Sequence, residues 1–176
     1  MLNILVLHNI KIIYKENKLD RIASFTINHI KLLEGLYVSR LDTFGSEFIT
    51  TFDIRMFRPN RGTYLSTPIA HCIEHLGATF LRNHNEIKNS VVYFGPMGCR
   101  TGFYLLLHNK YSSKDILPLM IELFDFVVSF EGEVPGASEV ECGNYKDIDL
   151  EASKIVAKTY LEILKNITED RLIYPN

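Results

Sequence analysis

One segment, residues 46–57, limits what this chain can fold into more than any other. It reads SEFITTFDIRMF, and its side chains alternate in character. The mostly apolar face holds Phe48, Thr50, Phe52, Ile54 and Met56, and the opposite face holds Asp53, Arg55 and Phe57. Alternation with a period of two residues predicts a β-strand. The chain must therefore build a sheet and cover the apolar face of that strand with a second layer.

The remaining segments mix strands and helices. Two further strands are predicted at 90–94 and 101–107, and helices at 67–84, from Ser112 or Ser113 to about 130, and at 149–167. Thr67 is the expected N-cap of the first helix, with Pro68 at its first helical position. Residues 131–148 contain several glycines and a proline and predict a loop. Because strands and helices do not alternate as in βαβ units, the expected class is α+β, a mainly antiparallel sheet with helices on one face.

Length and charge exclude several kinds of protein. At 176 residues the chain suits a single domain, 1–176, with a sizeable core. The net charge of −2 gives no electrostatic reason to expect a nucleic acid partner. No apolar run approaches the ~20 residues that a membrane span needs, and no secretory signal is recognisable, so a cytoplasmic protein is expected. Its three cysteines cannot all pair with one another, which favours reduced thiols that pack, bind metal or take part in catalysis.

The segment HCIEH, residues 71–75, lies on the first predicted helix. Residues four apart share a helix face, so His71 and His75 can reach one metal ion, and Glu74 lies near that face as an acid or base. The order His-x-x-Glu-His is also the inverted zincin pattern. The third ligand stays open from the residues alone. Glu151 suits a metallopeptidase, whereas Cys142 lies in a glycine-containing loop where a thiolate could approach the ion.

A second segment, GPMGCRTG at residues 95–102, places a cysteine in a turn between two predicted strands. Arg100 follows Cys99 directly. A nearby cation or metal would lower the thiol pKa from its free value of about 8.5. A thiolate in this position can act as a nucleophile or as a proton shuttle, whereas an ordinary tight turn that contains a cysteine remains the simpler alternative.

Taken together, these segments resemble S-ribosylhomocysteine lyase, the LuxS family of autoinducer-2 synthesis, over roughly residues 23–165. Six motifs carry the resemblance in order along the chain: Ser24-Phe25-Thr26-x-x-His29, Phe52-Asp53-Ile54-Arg55 with Pro59-Asn60, His71-x-x-Glu74-His75-Leu76, Arg82-Asn83-His84, PMGCRTGFY from Pro96, and Glu141-Cys142-Gly143-Asn144-Tyr145. Residues 1–20 precede the first motif as an N-terminal extension, and no function is assigned to them.

The resemblance implies roles for eight side chains. His71, His75 and Cys142 correspond to the metal ligands, Cys99 and Glu74 to the general acid–base residues, Arg55 to the arginine near the thiol and sugar, and Ser24 and His29 to residues of the substrate pocket. The implied cofactor is one divalent metal per subunit, Fe(II) being expected and Zn(II) or Co(II) being compatible with the same ligands. The implied assembly is a homodimer, an α/β sandwich with active sites at the subunit interface.

The implied reaction cleaves the thioether of S-ribosylhomocysteine. The sugar carbonyl moves from C1 to C2 and then to C3 through enediolates, which requires proton transfer beside a carbonyl polarised by the metal. Homocysteine then leaves from C5 by β-elimination, and the other product is 4,5-dihydroxypentane-2,3-dione, the precursor of autoinducer-2. A carbon–sulfur lyase in which Cys99 acts as acid and base, without a covalent intermediate, is therefore expected.

Three positions depart from the family pattern. Cys72 stands where threonine or serine is usual, Tyr93 where many members carry an aspartate, and Gly95 where serine is common. None of these positions is a metal ligand or an acid–base residue, so activity is still expected. Two other classes remain as alternatives: an inverted-zincin-type metallopeptidase that uses Glu151, and a catalytically inactive metal-binding relative.

Overall fold

The computed structural model describes residues 22–175, which form a four-stranded antiparallel sheet and three α-helices. The strands are β1 (Gly35–Phe44), β2 (Glu47–Arg55), β3 (Val91–Pro96) and β4 (Gly102–His108), in the spatial order β1-β2-β4-β3. The helices are α1 (Thr67–Asn83), α2 (Ser113–Ser129) and α3 (Leu150–Lys165). Short 3-10 turns lie at Ala23–Phe25 and Glu169–Arg171. The expected α+β class is confirmed. The N-terminal extension, residues 1–20, lies outside the described residues.

Strand β1 was not among the predicted strands, and its geometry explains why. The pairing of β1 with β2 shifts register between Val38 and Arg40, so the extra residue interrupts the alternation of side chains. The two strands are joined by a two-residue turn, Gly45-Ser46, in which Gly45 has φ +64°. Glycine adopts this left-handed conformation without steric cost, which fixes the hairpin.

The predicted helices are confirmed, with small corrections at their ends. Helix α1 is capped by Ser66, one residue earlier than expected, and Thr67 is already helical. Ser112 caps α2 through a capping box with Asp115, and Asp149 caps α3 by accepting a hydrogen bond from the backbone of Ala152. The loop predicted at 131–148 contains turns but no helix or strand.

The sheet also extends further than the sequence predicts. Strand β3 continues through Gly95 and Pro96, which were expected to break it. Proline is tolerated there because β3 is an edge strand, and Pro96 ends it opposite Phe103.

The main core lies between one face of the sheet and the helices. Phe52, Ile54, Phe103 and Leu105 from the strands are fully buried there, as are Leu76, Met120 and Leu161 from the helices. Each such side chain contributes roughly 1.5–3 kcal/mol to folding. Helix α1 approaches the sheet closely at Gly77, where a β-carbon would lie 2.4 Å from the ring of Phe94. This contact places the metal-type motif of α1 against the edge of the sheet.

The opposite face of the sheet carries a different set of side chains. Thr51, Tyr93, Tyr104 and Leu106 line an open groove of about 410 Å³ on this face, together with Ser24. Tyr93 keeps 46% of its surface exposed even though it lies on a strand. Among the described helices, none is long and apolar enough to cross a membrane.

Candidate active site

Two histidines and one cysteine form a cluster with the chemistry of a metal site. His71 and His75 lie one turn apart on α1, with ring centroids 4.6 Å apart and ring planes at 85°. The sulfur of Cys142 lies 3.3 Å from Nε2 of His71. One ligand atom from each of the three residues falls within 4.8 Å of the others. This N, N, S donor set leaves a fourth position open, as catalytic zinc-type sites require.

Backbone carbonyls orient both imidazole rings of this cluster. Nδ1 of His71 is 2.9 Å from the carbonyl oxygen of Asp147, and Nδ1 of His75 is 2.8 Å from that of Pro135. A neutral ring that donates from Nδ1 leaves the lone pair of Nε2 free to bind a metal. Both carbonyls belong to the 131–148 loop, so the loop positions the histidines as well as supplying Cys142.

Of the two candidates that the residues alone left open for the third ligand, only Cys142 lies close to both histidines. Cys142 is anchored by its backbone N–H, which donates to the carbonyl of Ser138 at 2.9 Å, and its sulfur accepts from the N–H of Asn144 at 3.4 Å. Glu151 instead lies in the first turn of α3, exposed, with an ion pair to Lys154 at 3.7 Å. The described cluster therefore contains Cys142 and does not contain Glu151.

The predicted thiol turn forms a second site. Cys99 lies in the β3–β4 connection, which is closed by a 2.9 Å hydrogen bond from the N–H of Met97 to the carbonyl of Gly102. Arg100 has φ +59°, a conformation that is uncommon for residues other than glycine, and its guanidinium lies 4.3 Å from the ring centroid of Tyr64. The turn holds the exposed Cys99 at a pocket of about 250 Å³ that His29 and Arg55 also line.

Hydrogen bonds to the sulfur set the acidity of Cys99. Partial burial alone would raise its pKa, but the side chain and backbone of Thr101 and the charge of Arg55 outweigh that effect, so the pKa of Cys99 lies below its ordinary value. Oγ1 of Thr101 is 3.1 Å from the sulfur, and Nη1 of Arg55 is 3.8 Å from it. Cys72 differs, since burial in α1 raises the pKa of its thiol. Of these two cysteines, Cys99 therefore has the more acidic thiol.

The other predicted site residues lie in different parts of the structure. His29 lies with Arg55 and Cys99 of its own chain, and Ser24 lies in the groove on the second face of the sheet. Glu74 is half-buried on α1 next to His75, and among the described residues its carboxylate forms no ion pair. The residues lining the thiol pocket do not include His71, His75 or Cys142. The chain therefore carries a metal-type cluster and a thiol pocket as two distinct groups.

Two departures from the family pattern prove to be spatial neighbours. Tyr93 and Gly95 lie two residues apart on β3, and the hydroxyl of Tyr93 lies 2.0 Å from where a β-carbon at position 95 would be. Any side chain at position 95 would displace the tyrosine ring from this position. The glycine is therefore what allows the tyrosine to lie along the strand.

Sequence reasoning missed three residues around the thiol: Asp53, Thr101 and Tyr174. Asp53 was placed on the correct strand face and within the Phe52-Asp53-Ile54-Arg55 motif, but no role was assigned to it. Its opposite charge two residues from Arg55 was a signal for the ion pair. Its Oδ2 accepts from Nη2 of Arg55 at 2.5 Å and from the hydroxyl of Tyr174 at 2.7 Å. The tyrosine lies 121 residues further along the chain, so no local pattern could indicate this contact.

The fold and these two groups define an α+β protein with a His–His–Cys metal-type cluster and an acidified cysteine. The family model for LuxS, S-ribosylhomocysteinase, matches residues 22–170. An S-ribosylhomocysteine lyase of Clostridium beijerinckii is 58% identical over 159 residues, covering 90% of this chain and 100% of the relative. Those of Clostridium acetobutylicum and Finegoldia magna are 55% and 52% identical, each over 89% of this chain and 99% of the relative. The chain belongs to the LuxS S-ribosylhomocysteinase family.

Proposed function

We propose that this chain is an S-ribosylhomocysteine lyase, which cleaves S-ribosylhomocysteine to homocysteine and 4,5-dihydroxypentane-2,3-dione. The observation that carries the proposal is the convergence of His71, His75 and Cys142 in a chain that belongs to the LuxS family. The acidified thiol of Cys99 adds the acid–base group that carbonyl migration requires.

His71, His75 and Cys142 would hold one divalent ion, for which the donor set suits Fe(II), Zn(II) or Co(II). The two nitrogens and the sulfur are oriented before an ion binds, because backbone groups already fix each of them. When bound, the ion supplies Lewis acidity at the substrate carbonyl. The fourth position is left for substrate or water.

Cys99 and Glu74 move the protons. The thiolate of Cys99 takes a proton from the carbon beside the carbonyl and returns it to the adjacent carbon, which shifts the carbonyl along the sugar. Glu74 relays protons between the sugar oxygens. Once the carbonyl reaches C3, removal of the C4 proton breaks the C5–S bond, and the electron pair leaves with sulfur as homocysteine after protonation. The remaining enol becomes the methyl ketone of the dione.

Arg55, His29 and Ser24 bind and orient the sugar. Arg55 is buried beside Cys99 and is held on two sides, by Asp53 and Thr101. His29 lines the same pocket, and Ser24 lies in the neighbouring groove. The protein works as a homodimer whose active sites lie at the subunit interface and draw on both subunits. The absence of the metal-type cluster from the residues that line the thiol pocket supports this arrangement.

The decisive experiment incubates anaerobically purified, metal-replete protein with S-ribosylhomocysteine and follows the release of homocysteine with a thiol reagent. Cys99→Ala and Glu74→Ala should each lower the rate by roughly 10²-fold or more. Cys72→Ser is the matched control: the position is a buried cysteine on α1 beside Ser153, and the variant should retain activity. Wild-type protein that binds metal but releases no homocysteine would support the inactive metal-binding relative instead.

The metallopeptidase alternative is tested by metal content. Cys142→Ala should lose the bound ion on dialysis, and Glu151→Ala, in which only an exposed ion pair is removed, should retain it. The reverse result would overturn the ligand set and support a peptidase that uses the glutamate.

A further inference from the structure

A buried charge pair lies next to the thiol pocket. Asp53 and Arg55 lie two residues apart on β2, and their side chains are only 1% and 4% exposed. Nη2 of Arg55 donates to Oδ2 of Asp53 at 2.5 Å, while Nη1 donates to Oγ1 of Thr101 and faces the sulfur of Cys99. One guanidinium therefore joins the buried carboxylate to the thiol.

A residue from the far end of the chain completes this pair. The hydroxyl of Tyr174 donates to the same Oδ2 of Asp53 at 2.7 Å. The ring of Tyr174 stacks on the ring of Tyr37, with centroids 4.8 Å apart and planes at 15°. Tyr37 is itself buried opposite Asp53 on β1, and its hydroxyl donates to the carbonyl of Leu33. The segment after α3 is thus attached to the sheet directly behind Arg55.

We propose that Tyr174 is a positioning residue for the catalytic thiol, acting through Asp53 and Arg55 and not through contact with substrate. Its hydroxyl fixes Oδ2 of Asp53 in the position that receives Nη2 of Arg55. The donors of a guanidinium form a rigid planar fork. When Nη2 is held by Asp53, Nη1 can therefore face Thr101 and Cys99 in only one orientation. The inference adds a residue to the proposed lyase site and rests on that function.

The charges around Cys99 explain why the hydroxyl matters. Arg55 stabilises the thiolate, whereas the carboxylate of Asp53 lies behind it with the opposite effect. Other titratable groups also face this region: His29 and Tyr64 line the pocket, Tyr104 lies on β4, and Tyr37 on β1 and Tyr160 on α3 lie near Asp53. The hydrogen bond from Tyr174 offsets part of the negative charge of Asp53 and keeps Arg55 toward the sulfur. Without the hydroxyl, the negative charge of Asp53 is offset less, and Arg55 is held less firmly toward the sulfur. Both effects make thiolate formation at Cys99 less favourable.

Tyr174→Phe tests the proposal because it removes the hydroxyl and keeps the ring that stacks on Tyr37. The measurement is the rate at which iodoacetamide alkylates Cys99 as a function of pH, followed by peptide mapping on the full chain without substrate. The midpoint should rise by about 0.5 pH unit, which corresponds to an about threefold slower reaction below the midpoint. Tyr111→Phe, which alters a half-buried tyrosine that does not line the thiol pocket, should keep the wild-type midpoint.

A second background separates positioning from a general structural effect. Arg55→Lys keeps a positive charge but cannot bond Asp53 and Thr101 with one planar group. In that background the further change Tyr174→Phe should shift the midpoint much less than it does beside Arg55. A wild-type midpoint in Tyr174→Phe, or an equal shift in both backgrounds, would overturn the proposal. Alkylation does not depend on turnover, so these results stand whether or not the protein proves to be a lyase.

Discussion

The same side chain behaves differently at positions 72, 99 and 142 because different atoms surround each sulfur. Cys72 is fully buried on α1, and burial raises the pKa of its thiol. Cys142 receives a backbone N–H and faces His71, as a metal ligand would. Cys99 is exposed at a pocket and receives hydrogen bonds from Thr101 and Arg55. These surroundings support the roles proposed for the three residues: packing for Cys72, metal binding for Cys142 and proton transfer for Cys99.

Removal of the Thr101 hydroxyl should shift the pH dependence of the proposed reaction. The thiolate is the active base, so the rate rises as pH increases through the pKa of Cys99. Hydrogen bonds from Thr101 lower that pKa, and Thr101→Val should therefore move the rising limb of the kcat/KM profile to higher pH. Thr159→Val on the exposed surface of α3 is the control and should leave the limb in place. If Thr101→Val leaves the rising limb of the profile unchanged, hydrogen bonds from Thr101 are not what lowers the pKa of Cys99.

At the level of elements, the start of α3 is tied to the start of α1. Asp149 accepts a hydrogen bond from the N–H of Ala152, its own N–H donates to the carbonyl of Pro68, and Ser153 donates to the carbonyl of Asp149. The carbonyl of Asp147, just before this cap, orients His71. The N-terminus of α3 therefore fixes one end of the loop that carries Cys142.

Loss of this cap should destabilise the fold. Asp149→Ala leaves the N–H of Ala152 without its side-chain acceptor and should lower the free energy of unfolding by about 1 kcal/mol, measured by urea denaturation. Glu139→Ala, at an exposed position in the loop, should change it by less than about 0.5 kcal/mol. Equal effects of the two substitutions would show that the cap does not stabilise α3.

Elements with a regular pattern could be predicted from the sequence, and those shaped by distant contacts could not. The helices were predicted to within about two residues, because an amphipathic face and a cap are local features. Strand β1 was missed because its register shift breaks the alternation. The end of β3 was placed too early because Gly95 and Pro96 read as a turn, although an edge strand accepts both.

The candidate site divides in the same way, into features that local patterns predict and contacts that depend on distant residues. Helical spacing alone brings His71 and His75 together, and the glycine-rich turn alone indicates an exposed Cys99. Choosing Cys142 over Glu151 as the proposed third ligand needed either the family motif or the structure, because both residues lie more than 70 positions after His71 and no local spacing distinguishes them. The contact of Tyr174 with Asp53 follows from tertiary packing, which no spacing in the sequence encodes.

At the level of the whole molecule, one face of the sheet is covered by helices, and the other carries a groove lined by both apolar and polar side chains. Leu106 lies in this groove between Tyr93 and Tyr104. If the proposed homodimer forms through this face, Leu106→Glu should shift the protein to a single-chain mass in analytical ultracentrifugation, because it places a charge in an interface core. Ile155→Glu introduces the same charge at a 69% exposed position on α3 and should leave the dimer intact. If Leu106→Glu remains a dimer, the subunit interface lies on another part of the surface.

Mixing two inactive variants tests whether each active site draws on both subunits. Cys99→Ala retains the metal ligands, and Cys142→Ala retains the thiol pocket. If the metal-type cluster of one subunit works with the thiol pocket of the other, one of the two sites in each mixed dimer is intact. Random exchange of equal amounts should then restore about a quarter of the wild-type rate of homocysteine release. A mixture as inactive as its components would place each complete site within one chain.

The loop that carries Cys142 and holds both histidines also sets an order of events during synthesis. The histidines leave the ribosome first, on a helix that can already form, and Cys142 follows 71 residues later. At roughly 5–20 residues per second this delay lasts about 4–14 s. Until then two imidazoles face solvent without the carbonyls of Pro135 and Asp147 that orient them. Because Cys142 follows all four described strands in the chain, the proposed ligand set is complete only after the strands of the sheet have been synthesised.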